Sequence, residues 1–261
     1  MAQTVWPLAQ RGFGETARRD FWWLQPLAVF LALSVFIVYS TWAAFQGAHY
    51  EFGPYLSPFY SPLLFGDGPR ALFGPKPGWW PPALPFSAAL LILWAPGGFR
   101  FTCYYYRGAY YKAFWQDPTS CTVGEPRTSY WGERYFPLIL QNGHRFFLAL
   151  ALLFIVFLTY DAITAFRFAD GLHLNVGSLV LTLNTTFLAS YTFGCHSLRH
   201  LVGGRRDEIS TNAVRWRCYT ACSAMTRRHQ LFAWLSLCSV GFADLYVRLC
   251  SMGIWTDYRL L

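Results

Sequence analysis

Five long apolar segments, separated by loops that hold most of the basic residues, constrain this chain more than any other feature. Each is long enough for an α-helix that crosses a bilayer, which takes about 20 residues. Apolar residues make up 54% of the 261 residues and charged residues 13%, whereas soluble domains carry about 25% charged residues. The pattern predicts an all-α integral membrane protein with a five-transmembrane-helix bundle. The predicted helices cover residues 21–45, 82–105, 144–166, 174–200 and 229–252.

The distribution of basic residues predicts how these helices are oriented. Of the 21 Lys and Arg, 16 fall in the N-terminal segment, in residues 100–145 and in residues 199–228. Loops with an excess of Lys and Arg face the cytoplasm. We therefore expect the N-terminus to be cytoplasmic and the C-terminus to lie outside. The first apolar segment is too long for the apolar region of a signal peptide, so we expect it to remain as a helix.

Composition narrows the class of protein further. Basic loops that face the cytoplasm explain the net charge of +8, so we expect membrane lipid and no nucleic acid among the partners. The seven cysteines are an odd number and lie mostly at or near the predicted reducing side, which argues against a disulfide framework. We expect a single membrane-anchor domain over residues 1–261, multi-pass in the cell inner (cytoplasmic) membrane.

The predicted outer side holds a loop and three ionisable residues of interest. The loop 46–81 is rich in Gly, Pro and aromatic residues, and we expect it to pack as an ordered lid with little regular structure. Asp161 and Asp244 interrupt helices near their outer ends, and Arg248 follows Asp244 at the four-residue spacing of a helical ion pair. Ionisable groups inside a bilayer are costly and often functional. A structural ion pair and a proton path are both open interpretations.

Strong metal donors gather where four of the predicted helices reach the inner side. Thiols and imidazoles at one depth of a membrane bundle suggest a redox centre that a soluble partner can reach. Packed cysteines and helix-capping histidines are the alternative, because free Cys is often simply buried. The candidate metal ligands are Cys103, Cys121, His144, Cys195, His196, His200 and His229.

The chemistry of these donors allows two kinds of centre. His196 and His200 are four residues apart, so a helix places both on one face, where they can chelate one metal. Two Cys with two His form the ligand set of a Rieske-type [2Fe–2S] cluster. Paired histidines without Cys suit b-type haem, and His49 and His173 are candidates for an outer haem pair. The middles of the helices contain no His, which disfavours haem.

A quinone site is also plausible at the inner level. Such a site needs apolar walls and one or two hydrogen-bond donors for the carbonyl oxygens of the quinone. Aromatic and basic side chains surround the metal-donor group and supply both. The candidate quinone-binding residues are Tyr104, Arg107, Trp115, Arg145 and Arg228.

Several separated motifs together resemble a known family. They read FRFTCYYYRGAYYKAFW, SCTVGEP, LQNGHRFF, GCHSLRHLVGG and RRHQLFAWL. The resemblance is to the membrane anchor (cytochrome b-like) of succinate dehydrogenase, respiratory complex II. It is closest to the actinobacterial-type class whose membrane part carries a Rieske-type [2Fe–2S] cluster in place of haem.

This resemblance implies cofactors and partners. A flavoprotein subunit with FAD would oxidise succinate, and an iron–sulfur subunit with further clusters would dock on the cytoplasmic face. The anchor, not catalytic alone, would pass electrons through its [2Fe–2S] centre to menaquinone or ubiquinone. The family implies two Cys and two His as ligands. Our first choices are Cys103 and Cys121 with His196 and His200, and the rivals are His144, His229 and Cys195.

Two other functions remain open. One is a di-haem cytochrome b anchor of a complex II with similar architecture. The other is a non-redox membrane scaffold or transporter in which the Cys and His residues are incidental.

Overall fold

The computed structural model describes residues 12–83, 85–126, 134–136, 138–204 and 208–261. This part of the chain is mostly helical, as predicted, with two short β-hairpins. The α-helices are α1 (Leu24–Gln46), α2 (Ala88–Ile92), α3 (Trp94–Thr102), α4 (Tyr104–Tyr110), α5 (His144–Thr164), α6 (Val176–Phe193), α7 (His196–Gly203), α8 (Ala213–Thr226) and α9 (His229–Ser251). A π-helical turn (Tyr111–Trp115) follows α4, and a 3-10 helix (Leu138–Gly143) precedes α5.

Three helical segments in the described residues are long and apolar enough to cross a membrane. They are α1, the 3-10 helix together with α5, and α9. The outward side chains of α1 include Phe30, Val35 and Val38, all exposed, as a lipid-facing surface requires. The total of five spanning helices, the cytoplasmic N-terminus and the outer C-terminus stay predictions.

The second predicted span is interrupted, and it starts later than expected. The helix begins at Ala88 rather than near residue 82, because the preceding segment contains several prolines, and a residue before proline disfavours the helical conformation. The helix breaks at Leu93, between α2 and α3 and three residues before Pro96. Pro96 itself sits in the first turn of α3, where its missing N–H removes no helical hydrogen bond.

The fourth predicted span, residues 174–200, is interrupted as well. Helix α6 ends at Phe193, and α7 begins at His196 after an extended residue, Cys195. The residues after the break are more polar than those before it, and include His196, Arg199 and His200.

The helices pack into a bundle with two different ends. One end holds the last turn of α3, the start of α5, the α6–α7 junction and the start of α9, and we call it the donor end. Its buried core includes Phe99, Cys103, Tyr191 and Cys195. At the opposite end, which we call the lid end, the loop after α1 folds over the bundle.

The loop at the lid end forms the ordered lid that the sequence predicts. Its only strands in the described residues are the hairpin β1 (Glu51–Phe52) and β2 (Tyr55–Leu56). Tyr60 is fully buried, donates a hydrogen bond to the carbonyl of Ala43 at 2.8 Å and accepts one from the N–H of Gly47 at 3.0 Å. The second hairpin, β3 (Arg167–Phe168) with β4 (Gly171–Leu172), joins α5 to α6.

Candidate metal centre

Two helix–cysteine–helix junctions form one side of the candidate site. Cys103 lies between α3 and α4 with φ −65° and ψ 129°, and Cys195 lies between α6 and α7 with φ −65° and ψ 133°. Each thus interrupts a helical segment with one extended residue and caps the helix that follows. Both side chains are almost completely buried, at 3% and 2% exposure. The shared backbone geometry presents two thiols to the same interior region.

Two long helices that begin at the same level each contribute a histidine. His144 is the first residue of α5 and His229 is the first residue of α9. The Nε2 atom of His144 lies 3.1 Å from the Sγ atom of Cys195. The Nε2 atom of His229 lies 3.5 Å from the Sγ atom of Cys103. Four soft donors from four separate parts of the chain therefore meet in two Cys–His pairs.

The hydrogen bonds of Thr102 fix which nitrogen of His144 can ligate. The Thr102 hydroxyl donates to the carbonyl of Gly98 at 2.7 Å, as a threonine in a helix often does. Since its single proton is used there, it accepts a hydrogen bond from Nδ1 of His144 at 2.8 Å. The lone pair of His144 is then on Nε2, which faces Cys195. Orientation of a ligating imidazole through its other nitrogen is the usual arrangement at metal sites.

Aromatic rings and close backbone approaches hold both imidazoles. Phe99 stacks on His144 with ring centroids 4.8 Å apart, and Tyr191 stacks on His229 at 4.9 Å. A Cβ atom at Gly194 would lie 3.2 Å from Nδ1 of His229, so a glycine here lets the α6–α7 junction approach α9. This Nδ1 atom is buried and has no hydrogen-bond partner among the described residues.

The arrangement suits two metal ions rather than one. Among the described residues, no three His, Cys, Asp or Glu side chains are close enough to share a single ion. The two Cys–His pairs nevertheless lie close together, because Phe99, which stacks on His144, is in edge contact with Tyr191, which stacks on His229, with the centroids of Phe99 and Tyr191 5.4 Å apart. A binuclear centre of the Rieske type would take both thiolates on one metal and both imidazoles on the other, so it would use these four donors in a grouping other than the two Cys–His pairs.

A cavity of about 630 Å³ opens beside the four donors and is lined by all of them. This volume is within the range of small-molecule and cofactor sites, about 300 to 1,000 Å³. Its walls come from the start of α1, from α3 and α4, and from the beginnings of α5, α7 and α9. Polar side chains other than the four donors also line it, among them Gln25, Thr102, Tyr104, Arg107, Lys112, Gln141, His196 and Gln230.

Comparison with known proteins identifies the family. The family described as "Actinobacterial succinate dehydrogenase subunit SdhC" matches residues 24–253. The chain belongs to this family. A chain in the solved structure "Mycobacterium smegmatis Sdh1 complex in the apo form" is 42% identical to it, with a TM-score of 0.85 and 94% of each chain covered. No curated protein sequence matches the chain.

Membership of the SdhC family confirms several predictions from the sequence. The chain is a membrane-anchor subunit of succinate dehydrogenase, not catalytic by itself, and it associates with the other subunits of that complex. It is a multi-pass protein of the bacterial inner membrane. Membership of this family excludes an unrelated transporter.

The structure does not bring all the predicted metal ligands of this SdhC protein together. Cys121 is exposed, and its carbonyl oxygen accepts a hydrogen bond from Arg18 at 3.1 Å. His196 and His200 lie one turn apart on α7, both exposed, and only His196 lines the cavity. The ring of His196 lies 6.5 Å from that of His229. Cys121 and His200 are thus separated from the four clustered donors.

The predicted quinone residues divide in the same way. Tyr104 and Arg107 line the cavity, with the guanidinium of Arg107 4.7 Å from the ring of Tyr104. Trp115 packs on Tyr110 and Tyr111 instead. The arginines at the starts of α5 and α9 are exposed and do not line the cavity; they are Arg145 and Arg228.

Sequence reasoning missed Lys112 and Gln141 as cavity residues. Lys112 follows Tyr104 and Gly108 at four-residue steps, and all three line the cavity. Helical periodicity through this aromatic stretch would have found Lys112. Gln141 accepts a hydrogen bond from Tyr111 at 3.1 Å, a contact between distant parts of the chain that no sequence spacing encodes.

The outer histidines have separate partners in the structure. His49 contacts Ser251 through Nδ1 at 3.3 Å, and Nε2 of His173 lies 2.9 Å from a carboxylate oxygen of Asp170. These contacts provide no support for an outer haem pair.

Proposed function

We propose that this protein passes electrons from an iron–sulfur partner subunit to quinone through a Rieske-type [2Fe–2S] cluster held by Cys103, Cys195, His144 and His229. The observation that carries the proposal is that two buried thiols and two imidazoles meet beside one cavity, with Nε2–Sγ distances of 3.1 and 3.5 Å. Two thiolates and two imidazoles are the donor set of that cluster type. When bound, the cluster would supply one-electron transfer at a potential raised by its imidazole ligands.

This ligand set differs from the first choice based on sequence. It keeps Cys103 and replaces the other three residues with Cys195, His144 and His229, which were the rivals. The physical reason is burial, because a cluster site inside a membrane protein needs donors that face the interior. Cys121 is exposed, and the shared face of His196 and His200 points away from the core.

The residues around the donors supply orientation and exclude water. Thr102 holds the tautomer of His144, and Phe99 and Tyr191 fix the planes of the two imidazoles. Surrounding hydrogen bonds and a dry environment tune the potential of a metal centre.

We further propose that quinone binds in the remaining volume of the cavity, next to the cluster. Tyr104 supplies an aromatic wall, and Arg107, Lys112 and His196 can donate hydrogen bonds to the quinone oxygens. Reduction of a quinone to a quinol takes two electrons and two protons. Lys112 at Nζ and His196 at a ring nitrogen are the groups in this cavity suited to hand on those protons.

The complete complex would begin with a flavoprotein subunit that oxidises succinate with FAD. Electrons would then pass through clusters of an iron–sulfur subunit docked at the donor end. The basic residues Arg145 and Arg228 are exposed at this end and can contact that subunit or lipid phosphate groups.

A b-type haem is the second candidate cofactor. A haem with two axial histidines has no use for thiolates, whereas each Nε2 atom here lies beside a buried Sγ atom. The cysteine positions therefore favour the cluster.

Spectroscopy of the purified complex tests the proposal. The succinate-reduced complex should show a Rieske-type EPR signal. Cys195→Ser should lose this signal and quinone reduction, while Cys121→Ser should keep both. An absorption spectrum with the bands of b-type haem, or a Cys195→Ser complex with an unchanged EPR signal, would contradict the proposal.

A further inference from the structure

Arg100 brings a positive charge to the edge of the core at the donor end, where its side chain is partly buried. It lies in the last turn of α3, three residues before Cys103, whose N–H donates to the carbonyl of Arg100 at 3.2 Å. Its guanidinium donates to the hydroxyl of Tyr106 at 2.6 Å and to that of Ser236 at 3.0 Å. Within the described ranges, no carboxylate lies at salt-bridge distance from Arg100.

Neutral partners satisfy the hydrogen bonds of this guanidinium but do not balance its charge. An unbalanced charge in a protein interior is costly, and buried charges are normally paired. Arg248 at the lid end follows that rule, because Asp244 accepts hydrogen bonds from it. The core at the donor end therefore favours any additional negative charge that arrives close to Arg100.

The contacts of Arg100 place it near the proposed ligands. Its guanidinium carbon lies 4.9 Å from the ring centroid of Tyr191, and that ring is stacked on His229 with centroids 4.9 Å apart. The sum of these two distances is an upper limit for the distance between the guanidinium carbon and the centroid of the His229 ring. Contacts with α4, α6 and α9 hold the side chain in this position.

We propose that Arg100 sets the reduction potential of the cluster, by stabilising with its positive charge the state that holds the extra electron. This inference rests on the proposed cluster. In the oxidised centre the charges of two ferric ions, two sulfides and two thiolates cancel, with neutral imidazoles as the other ligands. One electron from the iron–sulfur partner, which is thereby oxidised, reduces one iron and leaves one net negative charge. Two such electrons and two protons convert one quinone into a quinol.

A nearby cation stabilises this added negative charge and raises the potential of the centre. The effect is strong only where water screens it little, and the Arg100 side chain is partly buried between α4, α6 and α9. Removal of the charge should therefore make the cluster harder to reduce, without changing its ligands.

Redox titration of the EPR signal in the intact complex tests the inference. Arg100→Gln removes the charge and keeps an amide donor, while Arg100→Lys keeps the charge. We expect at least about a threefold fall in the equilibrium constant for reduction in Arg100→Gln, a shift of about 30 mV to more negative potential. Arg100→Lys should stay close to the wild type, and the shape of the EPR signal should be unchanged in both variants.

A second pair of variants leaves Arg100 in place. Ser236→Asp puts a carboxylate where the guanidinium now donates to a hydroxyl, and Ser236→Asn is its neutral control. The potential should fall in the aspartate variant alone.

An unchanged potential in assembled Arg100→Gln or Ser236→Asp complexes would overturn the inference, as would equal shifts in the two Arg100 variants. So would loss of the cluster from both Arg100 variants, which would make Arg100 a scaffold residue. A wild-type complex without any cluster signal would instead refute the proposed function.

Discussion

The donor end and the lid end of this bundle both bury ionisable groups, but they treat them differently. At the lid end, the carboxylate of Asp244 is fully buried and accepts hydrogen bonds from Tyr39 at 2.6 Å, from Ser57 and from Arg248 at 3.3 Å. At the donor end, Arg100 has no carboxylate partner in the described residues, and Nδ1 of His229 has no hydrogen-bond partner there. A completed polar network stabilises one arrangement of the chain. The donor end lacks such a completed network among the described residues, as the proposed cofactor site requires.

This difference favours one interpretation of Asp244 and Arg248 over the other. The pair lies at 1% exposure or less, and its members are locked by Tyr39, by the lid and by the carbonyl of Ala48. The guanidinium also lies 5.2 Å from the ring of Trp42. Such a closed network provides a structural ion pair that ties the lid to α9, and it leaves no unsatisfied acceptor for a moving proton.

The largest effect on stability is expected when this network is broken. Arg248→Met leaves the Asp244 carboxylate buried without its counter-charge, which typically costs about 3 to 5 kcal/mol. Thermal unfolding of the detergent-purified complex measures the loss. The double variant with Asp244→Leu should recover much of it, because replacing both partners removes the unpaired charge.

The same variant sharpens the comparison of the two ends. The folded fraction of Arg248→Met complexes should keep the wild-type EPR signal, because the lid end holds no ligand of the cluster. A double variant less stable than Arg248→Met alone, or loss of the signal from folded complexes, would break the proposed division of roles.

The orientation of His144 should show a smaller effect. Thr102→Val keeps the size of the side chain and removes the hydroxyl that accepts from Nδ1. Loss of such an outer partner typically costs about 10- to 100-fold in metal affinity or activity. Iron content and EPR intensity of the purified complex check this. Thr182→Val, at a threonine on α6 that bonds only a helical carbonyl, is the matched control and should retain full iron content.

The smallest effect concerns the C-terminal segment and depends on pH. Burial raises the pKa of Asp257, but hydrogen bonds from Tyr55, Asn175, Gly177 and Tyr246 outweigh burial and lower that pKa overall. The stabilisation is therefore present above the unfolded pKa of about 3.9 and is lost as the pH falls through the lower folded value.

Asp257→Asn should accordingly cost about 1 to 2 kcal/mol at neutral pH, from the lost charge-assisted hydrogen bonds. Its disadvantage relative to the wild type should shrink below about pH 4, where the wild-type carboxylate also becomes protonated. Unfolding curves of both proteins across this range measure the difference. A constant difference at every pH would rule out Asp257 ionisation as its source.

The parts of the fold that the sequence predicts well are those that depend on apolar length alone. The predicted segments 21–45, 144–166 and 229–252 match α1, α5 and α9 within three residues at each end. The breaks at Leu93 and Cys195 depend on local backbone geometry, which hydropathy does not encode.

The candidate site was also predicted only in part. Topology gathers the seven candidate donors at one end, and the four clustered donors are among them. To select those four donors from the sequence, one would need to know how each helix is rotated about its own axis. The four-residue spacing of His196 and His200 does place them on one face, but only tertiary packing decides that this face is exposed.

The EPR spectrum of matched histidine variants tests the central claim most directly. His229→Ala removes a donor that lies 3.5 Å from a buried thiol, whereas His200→Ala removes an exposed imidazole at the same end of the bundle. Our account predicts that the Rieske-type signal of the succinate-reduced complex disappears in His229→Ala and is unchanged in His200→Ala. A signal that survives in His229→Ala, or that is lost only in His200→Ala, would contradict it.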